Sequence, residues 1–281
     1  MFRKKKPKAR FFSLLPAVHT LHPITKADKL DRTWTKAERD DYRDRLSRCP
    51  VGKILENNTP QYPNSIGRCP AINSIMRTGY IVYAPADFKV HTNGDGHTIL
   101  FTTTPFQLPT APYVTLHEDN VSKWLMDSTK DTTIDQVIKI NTPWRVQADD
   151  DVLFLQTKVP FVNETRFSAI SGILDPRTAY EINVQLFWHV KEGDETVRAG
   201  TPLCCYIPIA RKMLDDLEVS VDIADSEDVK LEQEFTFTAY NEFPENVNVT
   251  QRQLKTQKIL RKFWNGLSLI HISEPTRQHW I

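Results

Sequence analysis

The chain has 281 residues, of which 40% are apolar and 25% are charged, and this is the composition of an ordinary globular protein. A chain of this length forms one large domain or two small ones, with enough residues for a buried core. No apolar run approaches the roughly 18–20 residues that cross a bilayer, so we predict no membrane partner. The short apolar patch near the start is broken by Pro16, and a secretory signal peptide is therefore not expected.

The net charge of +1 conceals an uneven distribution of basic and acidic residues. Residues 1–10 carry six Lys or Arg and residues 250–264 carry five, without an acidic residue in either stretch. Basic ends on an acidic body predict contact with an acidic partner, or a weak contact with nucleic acid. The alternative is that the two basic stretches are a solvated tail and a helix with one solvent-exposed face.

The four cysteines do not have the spacing of a zinc site, because no Cys-x-x-Cys pair is present. Cys204 and Cys205 are adjacent and would point to opposite faces of a strand, so they could not bind one metal together. Reduced structural thiols in a cytosol are therefore expected at these two positions and at Cys49 and Cys69.

The first predicted elements in chain order are helical. The stretch "TWTKAERDDYRDRLSR" reads as a helix in which Thr35 and Glu38 form a capping box. A loop dense in Asn and Pro follows it. In "RCPAINSIMRTGY", Pro70 suits the first turn of a helix and Gly79 suits the residue after its end, which predicts a short helix leading into a strand.

Short β-type runs occupy the middle of the chain, separated by Gly, Pro and Asp clusters. They are "YIVYA", "DFKVH", "HTILFTTT", "YVTLH", "DQVIKI", "WRVQA", "VLFLQT", "EINVQLFWHV", "TPLCCYIPI" and "EFTFTAY". The alternation in residues 181–190 predicts a strand that buries Ile182, Val184, Leu186 and Trp188. The apolar density of "LCCYIPI" suits a strand covered on both faces, and both strands are expected in one β-sheet system around a common core.

These runs predict a mainly β protein with a single β-sandwich, jelly-roll or β-barrel-like domain, short N-terminal helices and a C-terminal helix. The expected organisation is a basic tail (residues 1–10), a helical and loop segment (11–79), the β domain (80–245) and a closing helix (250–265). The last stretch, residues 266–281, does not continue the pattern of that helix.

The ending contains "LSLIHISEPTR", residues 267–277. With a suitable choice of codons, these eleven residues look like the translation of a transposase adapter used to prepare sequencing libraries. We therefore expect an environmental sequence whose own C-terminus is truncated, and we exclude this tail from fold reasoning.

Several long stretches resemble a family of uncharacterised proteins from marine tailed bacteriophages and some bacteria. They include "RCPAINSIMRTGYIVYAPADF", "INTPWRVQADDDVLFLQ" and "SGILDPRTAYEINVQLFWHVKEGDETVRAGTPLCCYIPI". This resemblance implies a phage context, in the infected bacterial cytoplasm or the virion, with a phage or host protein as partner. It implies no chemistry, because the family has no assigned activity.

A weaker likeness concerns "GILDPRTAYEINVQL" followed by "AGTPLCCYIPI", which is similar to a turn-and-strand motif of dUTPases. In that family an Asp activates water and a Tyr stacks on the sugar, roles that would map onto Asp175 and Tyr180. The spacing departs from the family's pattern, since Tyr180 lies five residues after Asp175 rather than three. The likeness implies at most a dUTPase-like, nucleotide-binding β-fold.

Metal chemistry is a further alternative, because His117 and Asp119 have the His-x-Asp spacing of an iron(II) facial triad and His189 could be the distal ligand. A three-residue pattern arises easily by chance, so no metal and no cofactor are predicted. Nucleotide-binding P-loops, hydrolase elbows and dinucleotide fingerprints are also lacking in the sequence.

The sequence therefore favours a binding or assembly protein over an enzyme. The enzyme alternative is an iron(II)-dependent oxygenase or a nucleotide hydrolase on the same scaffold. The candidate ligand-binding residues are Trp144, Arg145, Asp175, Arg177, Tyr180 and His189. The tryptophans are equally well explained as buried strand aromatics.

Overall fold

The computed structural model describes residues 7–13, 15–30, 36–37, 40–41, 44, 69–106, 108, 111–117, 131–221 and 223–230. The chain divides into two compact units, Met1–Asp215 and Asp216–Ile281. In the second unit residues 226–230 are helical. The Asp225 carboxylate caps this helix by accepting hydrogen bonds from the backbone N–H groups of Glu227 (2.8 Å) and Asp228 (2.9 Å).

The first unit is mainly β, as the sequence predicts. Its elements are β1 (Ala9–Ser13), α1 (Pro16–Leu21), β2 (Thr25–Lys26), a 3₁₀ turn (Ala27–Lys29), α2 (Pro70–Thr78), β3 (Tyr80–Tyr83), β4 (Phe88–Asn93), β5 (Ile99–Thr103), β6 (Val114–Leu116), β7 (Val137–Ala148), β8 (Val152–Thr157), β9 (Phe167–Ala169), β10 (Gly172–Leu174), β11 (Glu181–Trp188), β12 (Glu192–Val197), β13 (Pro202–Ala210) and α3 (Lys212–Asp215).

The strands form three antiparallel sheets. The first sheet has the order β1-β7-β11-β9, with β6 also paired to β7, and the second has the order β10-β8-β13-β3-β2. The third sheet is β12-β4-β5. Buried side chains from all three sheets join one hydrophobic cluster, which is the arrangement of a β-sandwich-like domain. The described strands do not close into a barrel.

Strand β11 confirms the predicted alternation. Ile182, Val184, Leu186 and Trp188 are all fully buried, while the intervening residues are half-exposed. Strands β11 and β13 lie in different sheets, yet both contribute to the main cluster, so their common core is confirmed.

Strand β7 merges two predicted strands into one of twelve residues, although Pro143 lies in its middle. The pairing register with β11 shifts here, so that Glu181 pairs with Arg145 and Asn183 pairs with Asn141. This bulge accommodates a proline, which cannot donate a ladder hydrogen bond. The Thr142 hydroxyl donates to the carbonyl of Ile182 at 2.6 Å and holds the two strands together at the bulge.

Strand β13 is covered on both faces over residues 203–206, as expected, whereas residues 207–210 are partly or fully exposed. Cys204 is buried in the main cluster, whereas Cys205 belongs to a second, smaller cluster beneath α2. Burial raises the pKa of both thiols, that of Cys205 to about 11, so both are inert at neutral pH. Helix α2 has Pro70 in its first turn and ends before Gly79, which confirms the predicted helix.

Five strands were not predicted from the sequence as part of the sheets: β1, β2, β9, β10 and β12, of which β9 and β10 have only three residues each. Strands β1 and β2 come from the segment that was assigned to a tail and helices, and they join the first and second sheets respectively. Strand β12, "EGDETV", is too polar to be recognised by apolar alternation. Its side chains instead form surface pairs, such as Asp194 with Lys89 at 3.1 Å.

Several predicted elements lie outside the described residues. They are the strand at residues 234–240, the closing helix at 250–265 and the ending at 266–281. In the predicted helix that begins near Thr35, residues 36, 37, 40, 41 and 44 are described and are helical. No helix in the described part of the chain is long and apolar enough to cross a membrane.

Candidate functional site

The predicted ligand residues fall in three places on the first unit. Arg145 and Tyr180 come together on the solvent-facing side of the first sheet, and Trp144 points to the opposite side, into the core. Asp175 and Arg177 form a separate ion-paired turn before β11. His189 lies just beyond the other end of β11.

A surface of alternating cations and aromatic rings crosses β1, β7 and the start of β11. The Arg145 guanidinium carbon lies 6.0 Å from the centroid of the Tyr180 ring, and that of Arg10 lies 5.0 Å from the centroid of the Phe12 ring. Phe12 and Glu181 are register partners of Arg145 on its two sides, so these side chains share one face of the sheet. We name Arg10, Phe12, Arg145 and Tyr180 the cation–aromatic surface.

Arg145 is held in place by several acceptors. Its Nη2 lies 2.9 Å from Oε1 of Glu181, and its Nη1 donates to the carbonyls of Thr142 (3.1 Å) and Trp144 (3.0 Å). Its side chain is only 12% exposed, whereas Tyr180 is 56% exposed. Arg145 therefore positions the Tyr180 ring, and the ring itself faces solvent.

Trp144 is a core residue with an unsatisfied polar atom. It is 2% exposed, and its indole Nε1 has no hydrogen-bond partner. Its ring meets the His19 ring of α1 edge-on, with the ring centroids 4.7 Å apart. Trp144 thus fixes α1 on the sheet and does not reach the cation–aromatic surface.

The Asp175 carboxylate anchors the turn before β11. It accepts hydrogen bonds from Nη2 of Arg211 (2.8 Å) and Nη2 of Arg177 (3.2 Å), and these two guanidinium groups hold its pKa well below the usual range. Arg211 also donates from Nε to the carbonyl of Asp150 at 2.8 Å. The turn is thereby tied to the end of β13 and to the loop before β8.

An aromatic cleft of about 810 Å³ lies where β1 and the end of β7 separate from β3, β8 and β13. Its lining includes the rings of Phe11, Tyr80 and Phe154, with Phe11 lying 5.6 Å from Tyr80 and 5.3 Å from Phe154 between ring centroids. Lys8 and Asp149 add polar groups at its border. The cleft is open to solvent and its lining is mainly apolar, so these rings are reachable from the surface.

Both ring nitrogens of His189 are hydrogen-bonded. Nδ1 lies 3.3 Å from the carbonyl oxygen of Thr132, and Nε2 lies 2.9 Å from the hydroxyl of Ser168. Because a carbonyl only accepts, Nδ1 donates to Thr132 and Nε2 accepts from Ser168. His189 therefore orders the chain around β9 in this structure.

The other members of the predicted metal triad are only partly within the described residues. His117 is half-buried, and its Nδ1 has no hydrogen-bond partner, while Asp119 lies outside the described residues. Across the part of the chain that the structure describes, no three His, Cys, Asp or Glu side chains are placed to hold a metal ion.

Sequence reasoning missed the aromatic residues at β1 and around the cleft. Phe11 and Phe12 are adjacent and so face opposite sides of β1, one toward the cleft and one on the cation–aromatic surface. The run "ARFFS" gives little signal of a strand, because its two phenylalanines are adjacent and its burial does not alternate. The convergence of Tyr80 and Phe154 could not be read from the sequence either, because they come from strands far apart in the chain.

In comparisons with known proteins, no family model, no curated protein and no solved structure matches the chain.

Proposed function

We propose that this chain is a binding or assembly protein of a bacteriophage, which uses the aromatic cleft to take an apolar segment of a phage or host protein. The cleft is the observation that carries this proposal. The protein would act in the infected bacterial cytoplasm or in the virion, and this context rests on the resemblance to phage proteins.

The lining of the cleft supports a protein partner. Phe11 and Tyr80 are half-buried, so part of each ring remains available to an incoming side chain. Burying such apolar surface contributes about 25 cal/mol per Å². Lys8 and Asp149, which are hydrogen-bonded to each other, give the cleft the polar border that is usual around an apolar contact.

A selection experiment tests this proposal. Random twelve-residue peptides displayed on an unrelated scaffold would be selected on the immobilised chain and counter-selected on Ala9→Trp, which places an indole in the cleft from an exposed strand position. The matched control is Ala179→Trp, which adds the same indole to an exposed turn outside the cleft. We expect peptides with aromatic or branched apolar anchors that bind the native chain and the control but not Ala9→Trp.

A second filled variant, Ala148→Trp, guards against an unfolded Ala9→Trp protein, and thermal unfolding shows which variants are folded. Selected peptides that bind the native chain and both folded cleft variants equally would refute the cleft as the binding site. Failure to select any apolar peptide would also count against the proposal.

A further inference from the structure

We infer that the cation–aromatic surface binds single-stranded nucleic acid, with bases stacked on Tyr180 and Phe12. Of its four residues, only Arg10 also lines the cleft, so the roles of Phe12, Arg145 and Tyr180 are tested apart from it. The inference therefore does not depend on the proposed function.

The arrangement of rings is the first reason. Phe12 lies on β1 and Tyr180 directly precedes β11, with β7 between these two strands, so the backbones of the two residues are about two strand spacings apart, roughly 10 Å. Open antiparallel sheets that present aromatic rings at such spacing can stack two or three unpaired bases. The 56% exposure of Tyr180 leaves its ring accessible for stacking.

The charge of the same face is the second reason. Arg10 is exposed beside Phe12, and Lys139 lies on the same side of β7 as Arg145. The one carboxylate among their paired neighbours, Glu181, is neutralised by Arg145 at 2.9 Å. Positive charge around exposed rings is the combination that binds single strands without sequence preference.

The fixed geometry of Arg145 is the third reason. Its hydrogen bonds to Glu181 and to two backbone carbonyls leave it little freedom. The Tyr180 backbone is fixed as well, because its carbonyl accepts a hydrogen bond from the N–H of Val146 at 2.8 Å. A platform that is already ordered loses little entropy when a base stacks on it.

Fluorescence anisotropy with fluorescein-labelled (dT)12 tests the inference on the full chain. We expect saturable binding at 50 mM salt, and a loss of affinity of about 5- to 150-fold in Tyr180→Ala, since each stacked base contributes that much by alanine substitution. Tyr180→Phe keeps the ring and should keep most of the affinity. Arg10→Gln should lower the slope of log K against log salt by about 0.7, the value for one phosphate contact on a single strand.

Three results would overturn the inference. They are the absence of binding up to about 100 µM protein, equal affinity for a 12-base-pair duplex, and affinity that is unchanged in both Tyr180→Ala and Phe12→Ala. The last result would assign any binding to the basic sequence before β1 rather than to the sheet. The Tyr180→Ala variant separates the two sites, because Tyr180 does not line the cleft: this variant should lose (dT)12 and retain the selected peptides.

Discussion

Replacing Leu186 by alanine tests the central packing of the fold. Leu186 is fully buried, and its register partners are Ile138 on β7 and Ala169 on β9. The substitution removes three carbon atoms, which corresponds to about 2–2.5 kcal/mol of transfer free energy at about 0.8 kcal/mol per methylene-sized group. The cavity that remains adds to this cost, so we expect the free energy of unfolding to fall by about 2–5 kcal/mol.

Thermal unfolding followed by circular dichroism measures this change. For a domain of this size, a loss of about 3 kcal/mol lowers the Tm by roughly 6–12 °C. Gln185→Ala is the matched control, because Gln185 is the neighbouring residue on the half-exposed face of the same strand. Its effect should stay within about 0.5 kcal/mol. A Tm for Leu186→Ala within 2 °C of the native value would mean that β11 does not pack as described.

Four further predictions concern packing, buried hydrogen bonds, ionisation and the ending. In urea unfolding, Gly79→Ala should destabilise the protein by about 1–3 kcal/mol, because an added Cβ would lie 2.5 Å from Sγ of Cys205. The control Gly172→Ala should be nearly neutral, because a Cβ added there meets no atom within 4 Å. Tyr206→Phe should cost about 1–3 kcal/mol in the same assay, because the buried Oε1 of Gln156 loses the hydroxyl that donates to it at 2.6 Å; an unchanged midpoint would contradict that hydrogen bond. Asp175→Asn should be less stable than the native chain at pH 7, because the native pKa of Asp175 lies below its unfolded value. This stabilisation is complete above about pH 4 and is lost progressively as the pH falls toward the native pKa, so a difference that is constant from pH 7 to pH 3 would rule it out. Deletion of residues 267–281 should leave the Tm unchanged, and a loss of stability would show that this ending belongs to the fold.

Local patterns were sufficient to predict the elements whose formation depends on neighbouring residues. Strand β11 was predicted because its buried side chains alternate, and α2 was predicted because Pro70 and Gly79 mark its ends. The opposite burial of Cys204 and Cys205 follows from strand geometry alone. Each of these features depends on the direction in which successive side chains point, which the order of residues determines.

Polar or interrupted strands needed the tertiary structure. Strand β12 is held by its pairing with β4 rather than by an apolar face. Strand β7 continues through Pro143 because its register with β11 shifts there, so the pairing does not need a backbone N–H at residue 143. The sequence shows the proline but does not show which strand lies beside it.

The candidate sites divide in the same way. The sequence identified Tyr180 as a residue to test through its likeness to the dUTPase turn, and Arg145 through its place beside Trp144 in a predicted strand. Only the tertiary structure decided that Arg145 and Tyr180 meet across two strands, that Trp144 turns into the core, and that Phe11 lies against Tyr80 and Phe154. The physical reason is that the register between strands distant in the chain is set by the packing of the whole core, which no single stretch of sequence contains.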